Sequence, residues 1–360
     1  PAKPANAGFG YLEEGKPFEE TTREELVAAL GDPRKNISLI GVPGSEKLLP
    51  QQILWQFSDS DAKDQRKKLL PHLNKALFMA ALFLGLYFYT KSFYMLIALM
   101  FFGLSPLMEV LGAWFQGPRT AEENRFRAID GALFSRWMKN QPIGYLIGGV
   151  AVLIGIFLIQ YFELSIIRSV IKAGLVKSRV ADGEWWRLVT CGLLHGGWIH
   201  LLFNGMALFT LGRVLTSCLR PTTLAALFLF GVLGGSILSQ LLTTSRSVGA
   251  SGGLCGFLGF LTVMVVLFRK EVPGFLAAGV IRTNIMMVIL GFLGMRFIDN
   301  AAHGGGFLVG AAFAFILFQG RKHWWEFKQG PMLRGVGLAS VFVLLLAVVQ
   351  ILRQFYPKFF

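Results

Sequence analysis

Long apolar runs set the terms for this sequence. Between Ile143 and Ile351 they recur at close intervals, over 143–164, 199–215, 224–242, 251–268, 283–298, 301–318 and 336–351. Two more, 76–89 and 93–115, precede them and are joined at Thr90-Lys91-Ser92. A bilayer span takes about 20 apolar residues, so the runs predict about nine spans. In hydrocarbon every backbone polar group must be satisfied within the segment or a closed barrel, and runs this long and apolar can only be helices. Hydrophobic residues make up 54% of the chain and charged residues 16%, where soluble domains average roughly 45–50% and about 25%. The fold class is therefore an all-α polytopic membrane protein.

The charges follow the same plan. The 35 Lys and Arg outnumber the 21 Asp and Glu, for a net charge of +14. The basic stretches fall at 66–75, 119–139, 213–220, 269–282 and 321–334. These are alternate connections, and the positive-inside rule assigns them all to the cytosol together with the N-terminus. The opposite side then carries 165–195, the loop before Ser251, and Asp299-Asn300. A nucleic-acid partner would want the basic residues on one folded face; here they flank apolar runs, so the partner is the lipid bilayer and no nucleic acid is expected. Three cysteines, Cys191, Cys218 and Cys255, lie in or beside apolar segments, which argues against a disulfide framework. No apolar stretch follows Pro1-Ala2-Lys3-Pro4, so no cleavable signal peptide is expected. Without an organelle signal the default location is a bacterial inner membrane.

Four regions follow. Residues 1–70 read as a small soluble cytosolic region. Thr22-Arg23-Glu24-Glu25 fits a capping box, with Leu26, Val27 and Leu30 at helical spacing behind it. Gly31-Asp32-Pro33 stops that helix, and Ile37 to Val42 has the character of a short strand. Residues 71–140 hold a membrane hairpin and then a basic surface helix, with Phe126, Ile129, Leu133, Phe134 and Trp137 on one face. Residues 141–320 form the core, and 321–360 add one C-terminal span.

Chemistry concentrates in three stretches of the core. In Gly249-Ala250-Ser251-Gly252 a serine stands between glycines at the first turn of a membrane helix. Free N–H groups and the positive end of the helix dipole face whatever Ser251 attacks. His195-Gly196-Gly197-Trp198-Ile199-His200 continues to Asn204, and His200 and Asn204 share a helix face. In the third stretch His303, Gly306 and Gly310 share a face that can pack closely on a neighbour. A serine nucleophile needs a base, and histidine titrates in the right range. Attack on an amide builds negative charge on oxygen, for which Asn204, His200 and the Ser251 N–H are candidate donors. Polar groups in spans are costly and point to function by default. The plain alternatives are that the small residues only pack helices, and that each histidine only bonds a neighbouring helix. A metal is not expected, because no carboxylate or cysteine stands at ligand spacing beside His195 and His200. Asp299, four residues before His303, reads as a loop anchor, so a Ser–His dyad is expected.

At these residues the sequence resembles the rhomboid family of intramembrane serine proteases, over roughly 143–319. Gly249-Ala250-Ser251-Gly252 resembles the family's G-x-S-G motif. Ala302-His303 with Gly306 and Gly310 resembles its A-H-x-x-G-x-x-x-G helix. His195, His200 and Asn204 match H-x4-H-x3-N, and Glu184-Trp185-Trp186-Arg187 matches E-x-W-R. The resemblance implies a six-helix core, to which the N-terminal membrane hairpin, the one extra C-terminal span and the small N-terminal cytosolic region are additions. Ser251 would be the nucleophile and His303 the base, without a cofactor. Asn204, His200 and the Ser251 backbone would form the oxyanion hole. His195, Gly249, Gly252, Cys255, Gly306, Gly310, Trp186 and Arg187 would support the site. Substrates would be single-span membrane proteins, cut near the non-cytosolic face at small residues. One departure is Cys255, where many members carry an aromatic ring that packs on the catalytic histidine; Phe257, Phe260 or Phe307 could take that role. Two other classes fit less well. An inactive relative that binds membrane clients would usually lack Ser or His, and both are present. A transporter would want charged residues within its spans, and the core spans hold almost none.

Overall fold

The computed structural model describes residues 9–13, 16–32, 34–35, 37–41, 49–50, 62–115, 141–216, 218–269, 271–323, 327 and 329–359. The surface helix expected over 118–140 lies outside them. The chain divides into two compact units: 1–140 with 273–294, and 141–272 with 295–360.

The first unit opens with a small sheet of order β2-β1-β3-β4, built from β1 (Phe9–Glu13), β2 (Glu19–Thr21), β3 (Ile37–Gly41) and β4 (Leu49–Pro50). The neighbouring strands are antiparallel. Helix α1 (Arg23–Gly31) starts at the capping box: Thr22 Oγ1 accepts the Glu25 N–H at 3.2 Å, and Glu25 Oε2 accepts the Thr22 N–H at 3.0 Å. Tyr11, Leu26, Ala29, Ile37 and Ile40 close its small core.

The same unit contains α2 (Ala62–Thr90) and, after the turn at Lys91, α3 (Phe93–Ala98), a π-helical turn (Leu99–Leu104) and α4 (Ser105–Phe115). The shorter of the two N-terminal apolar runs is thus lengthened at its start, through Pro71. Its third helical partner is α12 (Gly274–Leu293). Tyr87, Leu96, Leu99 and Met100 form a core onto which Met286, Ile289, Leu290 and Leu293 pack. The Tyr87 hydroxyl donates to the Leu293 carbonyl.

Helix α12 corrects the span expected over 283–298. It begins nine positions earlier and ends at Leu293, so Arg282 lies inside the helix and not in a cytosolic loop. Pro273 supplies a preset turn ahead of Gly274, and 275–281 are apolar enough to continue the helix. The arginine is tolerated because its long stem lets the guanidinium reach Glu109, 3.7 Å away, instead of lying bare in hydrocarbon.

The second unit contains α5 (Gly144–Ile159) with a π-helical turn (Gln160–Leu164), three short helices α6 (Ile166–Ala173), α7 (Lys177–Ala181) and α8 (Arg187–Thr190), and then α9 (Trp198–Leu215), α10 (Pro221–Leu242), α11 (Ser251–Leu267), α13 (Asn300–Phe318) and α14 (Pro331–Phe355). Among the described residues eight helical segments are long and apolar enough to cross a membrane. Helix α11 is shorter and sits at the centre, against α9, α10 and α13. Most of its residues from Gly252 to Leu261 are buried on every side, as expected of a helix apolar all round. The outer helices turn large apolar side chains outward, among them Leu202, Leu241, Leu308 and Ile316, as a lipid-facing surface requires.

The contact of α11 with α13 is made by backbone. A Cβ on Gly306 would overlap the Gly252 carbonyl oxygen, and one on Gly310 would overlap that of Gly256. A Cβ on Gly235 would meet the Ala302 carbonyl oxygen at 2.5 Å, and one on Gly231 the Gly253 Cα at 3.0 Å. Close approach of this kind is how membrane helices gain packing energy where lipid offers no hydrophobic drive. Extra methyls in tight cores cost about 1–3 kcal/mol, so Gly310→Ala is expected to lower the melting temperature in detergent by several degrees. Gly148→Ala and Gly155→Ala, whose Cβ would meet nothing within 4 Å, are expected to leave it unchanged.

Candidate active site

Ser251 is the first residue of α11 and is partly exposed. The preceding loop is pinned from outside: Leu175 and Ser247 exchange backbone hydrogen bonds of 3.0 and 3.2 Å, and the Gly249 N–H donates to the Cys191 carbonyl at 2.9 Å. Gly249 has φ of +131°, a region L side chains rarely adopt. Its α-carbon also faces two polar side chains. A Cβ there would lie 2.6 Å from His200 Cε1, 2.7 Å from His200 Nε2 and 3.6 Å from Asn204 Nδ2. The structure therefore brings His200 and Asn204, from α9, to the residue two before Ser251.

Both are poised as donors. The Gly196 N–H donates to His200 Nδ1 at 3.4 Å. A neutral imidazole that accepts at Nδ1 carries its proton on Nε2, and the Cε1–Nε2 edge of the ring faces Gly249. Asn204 is buried, and its Nδ2 has no hydrogen-bond partner among the described residues. An enclosed amide donor left unpaired costs about 1–3 kcal/mol.

His303 lies on the first turn of α13 and is partly exposed. The glycine seam aligns the two helix starts: Ala302 and Gly306 of α13 lie on Gly252 of α11, so Ser251 and His303 stand beside the same contact. A cavity of about 20 Å³ opens beside Ser251, Gly249, Gly252, Cys191, Ser236 and Ala302, a little more than one water needs.

Asp299 has another task than orienting His303. Its Oδ1 caps α13 by accepting the Ala302 N–H at 3.0 Å, and its Oδ2 accepts the Ser239 hydroxyl. Lys177 Nζ donates to the same hydroxyl at 2.7 Å. Burial would raise the Asp299 carboxyl, but the hydrogen bonds from Ser239 and the Ala302 N–H outweigh it and hold it below its ordinary value. Nothing in the sequence pairs Lys177 and Ser239 with Asp299, since they lie far apart along the chain.

The remaining residues form a frame. Arg187 is fully buried. It donates through Nε to Glu184 at 2.5 Å and through Nη1 to the Gly174 carbonyl at 2.7 Å, and it stacks on the Trp186 ring. His195 is buried against His200, with ring centroids 5.3 Å apart. Burial pulls its ring down to about 3, so it is neutral in any ordinary buffer. Gly252 contributes its backbone more than its missing side chain: a Cβ there would find only ordinary contacts, the nearest at 3.5 Å. Cys255 is buried one turn after Ser251. Phe257 packs on Phe228, and Phe260 on Phe313 and Phe318. The sequence reading passes over Gly234, Gly235 and Gly305 on the same seam. G-G pairs at 234–235 and 304–306 were the available signal.

The comparisons with known proteins converge on one family. A family model described as the Rhomboid domain matches residues 182–320. RHOMBOID-like protein 5 of Arabidopsis thaliana is 35% identical over 158 residues, 41% of this chain and 48% of the relative. Rhomboid protease GluP of Bacillus subtilis (strain 168) is 39% identical over 141 residues, 38% of this chain and 27% of the relative. The rhomboid-family protein YdcA of the same organism is 36% identical over 144 residues, 38% of this chain and 68% of the relative. The chain thus spans less than half the length of the first two.

The geometry separates two kinds of variant. Gly249→Ala drives a methyl into the His200 ring and is expected to abolish labelling of Ser251 by a serine-directed fluorophosphonate. Asp299→Ala removes a helix cap, a loss of about 0.5–2 kcal/mol, and is expected to lower the melting temperature while labelling persists.

Proposed function

The chain belongs to the rhomboid family, and from that premise we propose that it is an intramembrane serine endopeptidase working through a Ser251–His303 dyad. The observation that carries this reading is the convergence of His200 Nε2 and Asn204 Nδ2 on Gly249, beside a serine at a helix start. That arrangement is a set of donors around a nucleophile, and helix packing alone does not need it.

The chemistry then runs as follows. His303 takes the Ser251 hydroxyl proton as Oγ attacks the carbonyl of the scissile bond. The oxyanion is held by Asn204 Nδ2, His200 Nε2–H and the Ser251 backbone N–H. The intermediate collapses as His303 gives its proton to the leaving amine, and an acyl-enzyme remains. A water, deprotonated by His303, attacks that ester and frees the second product. The Asp299 carboxylate, engaged by the cap and by Ser239, leaves a dyad in place of a triad. Loss of Asp299 is therefore expected to reduce cleavage far less than loss of His303.

The substrates are single-span membrane proteins, opened near the non-cytosolic face. A helix hides its peptide bonds, so the target segment must unwind before Ser251 can reach one, and residues of poor helix propensity make that easier. The small cavity beside Ser251 favours Gly, Ala or Ser just before the cut.

The test uses the purified full chain in liposomes with a single-span substrate. Cleavage and fluorophosphonate labelling are both expected to vanish in Ser251→Ala and His303→Ala. Asn204→Ala is expected to lower kcat by about 10²–10³. Replacing Ala by Phe before the cut is expected to stop cleavage. An intact protein that neither cuts nor labels, yet binds the substrate equally with Ser251→Ala, would establish client binding without proteolysis.

A further inference from the structure

The strongest polar arrangement outside the nucleophile and its donors is centred on Gln160. It stands where α5 passes into its π-helical turn, and it is fully buried, as are Ser169 and His195. Its side-chain amide clamps one residue at two points. Gln160 Oε1 accepts the His195 N–H at 3.0 Å, and Nε2 donates to the His195 carbonyl at 3.3 Å. Nε2 also donates to Ser169 Oγ at 2.8 Å, and that hydroxyl donates to the Ile166 carbonyl at 2.7 Å. Among side chains only an amide offers an acceptor and two donors from one planar group. Asparagine is one carbon shorter, and a carboxylate lacks the donors. A π-helical turn shifts the register of a helix locally, and such turns recur at functional sites.

We infer that Gln160 is a positioning residue for the oxyanion-binding end of the proposed active site, acting through the backbone of His195 and Gly196 on the tautomer of His200. The inference rests on the proposed function. The links are each one contact long. Gln160 holds both backbone polar groups of His195. The next residue, Gly196, points its N–H at His200 Nδ1. That bond leaves the proton on Nε2, at the ring edge facing Gly249. With the clamp gone, Gly196 is free to turn its N–H away. The ring then has no fixed tautomer, and a fraction of molecules presents a lone pair where the oxyanion needs a donor. Ser169 sets the amide plane of Gln160 from the far side.

The test compares wild type, Gln160→Met, His200→Ala and the double variant, all as full chains in the same liposomes with the same substrate. Gln160→Met is expected to lower kcat by about 10-fold or more, with KM within about 3-fold, the pattern of an interaction realised in the transition state. In the His200→Ala background the same change is expected to cost less than about 2-fold, because a residue that acts through His200 has nothing left to act on. An equal loss in both backgrounds, or an undiminished kcat, overturns the inference. The ¹⁵N spectrum of histidine-labelled protein supplies a readout independent of cleavage. His200, assigned by its absence in His200→Ala, is expected as a single Nε2–H tautomer in wild type and as a mixture in Gln160→Met. A single unchanged tautomer in Gln160→Met overturns the inference even if the protein cuts nothing, whereas failure of the wild type to cleave or label bears on the proposed function. Should Gln160→Met not fold, Gln160→Asn carries the same comparisons with the amide retained and its reach shortened.

Discussion

The contact on which the second unit depends is backbone against backbone, α11 on α13. Gly306 lies over the Gly252 carbonyl and Gly310 over that of Gly256, where a single Cβ would overlap. In lipid the helices gain nothing from escaping water, so association rests on close van der Waals packing and on polar contacts. Glycine at this seam brings the two helix starts together at Gly252 and Ala302, with Ser251 one residue before the first and His303 one residue after the second. The same stretch of α11 lies against α10 through Gly231 and Gly235. Interiors this tight are not continuously deformable, and the residues at the helix starts inherit that rigidity.

Around the seam, the polar groups are held by a second layer of contacts drawn from distant parts of the chain. Arg187 ties the segment before His195 to the carbonyl of Gly174. Lys177 and Ser239 meet the Asp299 cap of α13. Gln160 grips the backbone of His195. Each of these groups is buried or half-buried, and each would be expensive to enclose alone; paired, they convert that expense into fixed positions. Among the described residues the enclosed Asn204 Nδ2 is left without a hydrogen-bond partner, as is Arg187 Nη2.

The additional helices divide between the units. Helix α14 belongs with the core, lying along α10, and Lys172 of α6 donates to the Gln354 carbonyl in its last turn at 3.0 Å, a favourable place for a cation at a helix C-terminus. Helix α12, which joins the serine helix to the histidine helix along the chain, instead packs with α2, α3 and α4, around Tyr87 and Leu99. Chain order and packing partner therefore part company at α12.

The sequence by itself determined the spans, because hydrocarbon admits only segments that satisfy their own backbone, and an apolar run of sufficient length leaves one solution. It determined the first helix of the small domain through the Thr22–Glu25 box, since capping depends on residues three apart. It also set out the candidate nucleophile, base and donors, because their spacings are local. The tertiary structure decided everything that rests on residues far apart in the chain. A carboxylate four residues before a histidine reads alike as triad acid or helix cap until Ser239 and Lys177 are seen around it. Gln160 looks like a polar residue at the end of a span until His195, 35 residues on, is found in its amide. The boundary of α12 moved, and Arg282 inside it lies 3.7 Å from Glu109 of another helix. Local spacing constrains what a helix face can present; only packing determines what that face meets.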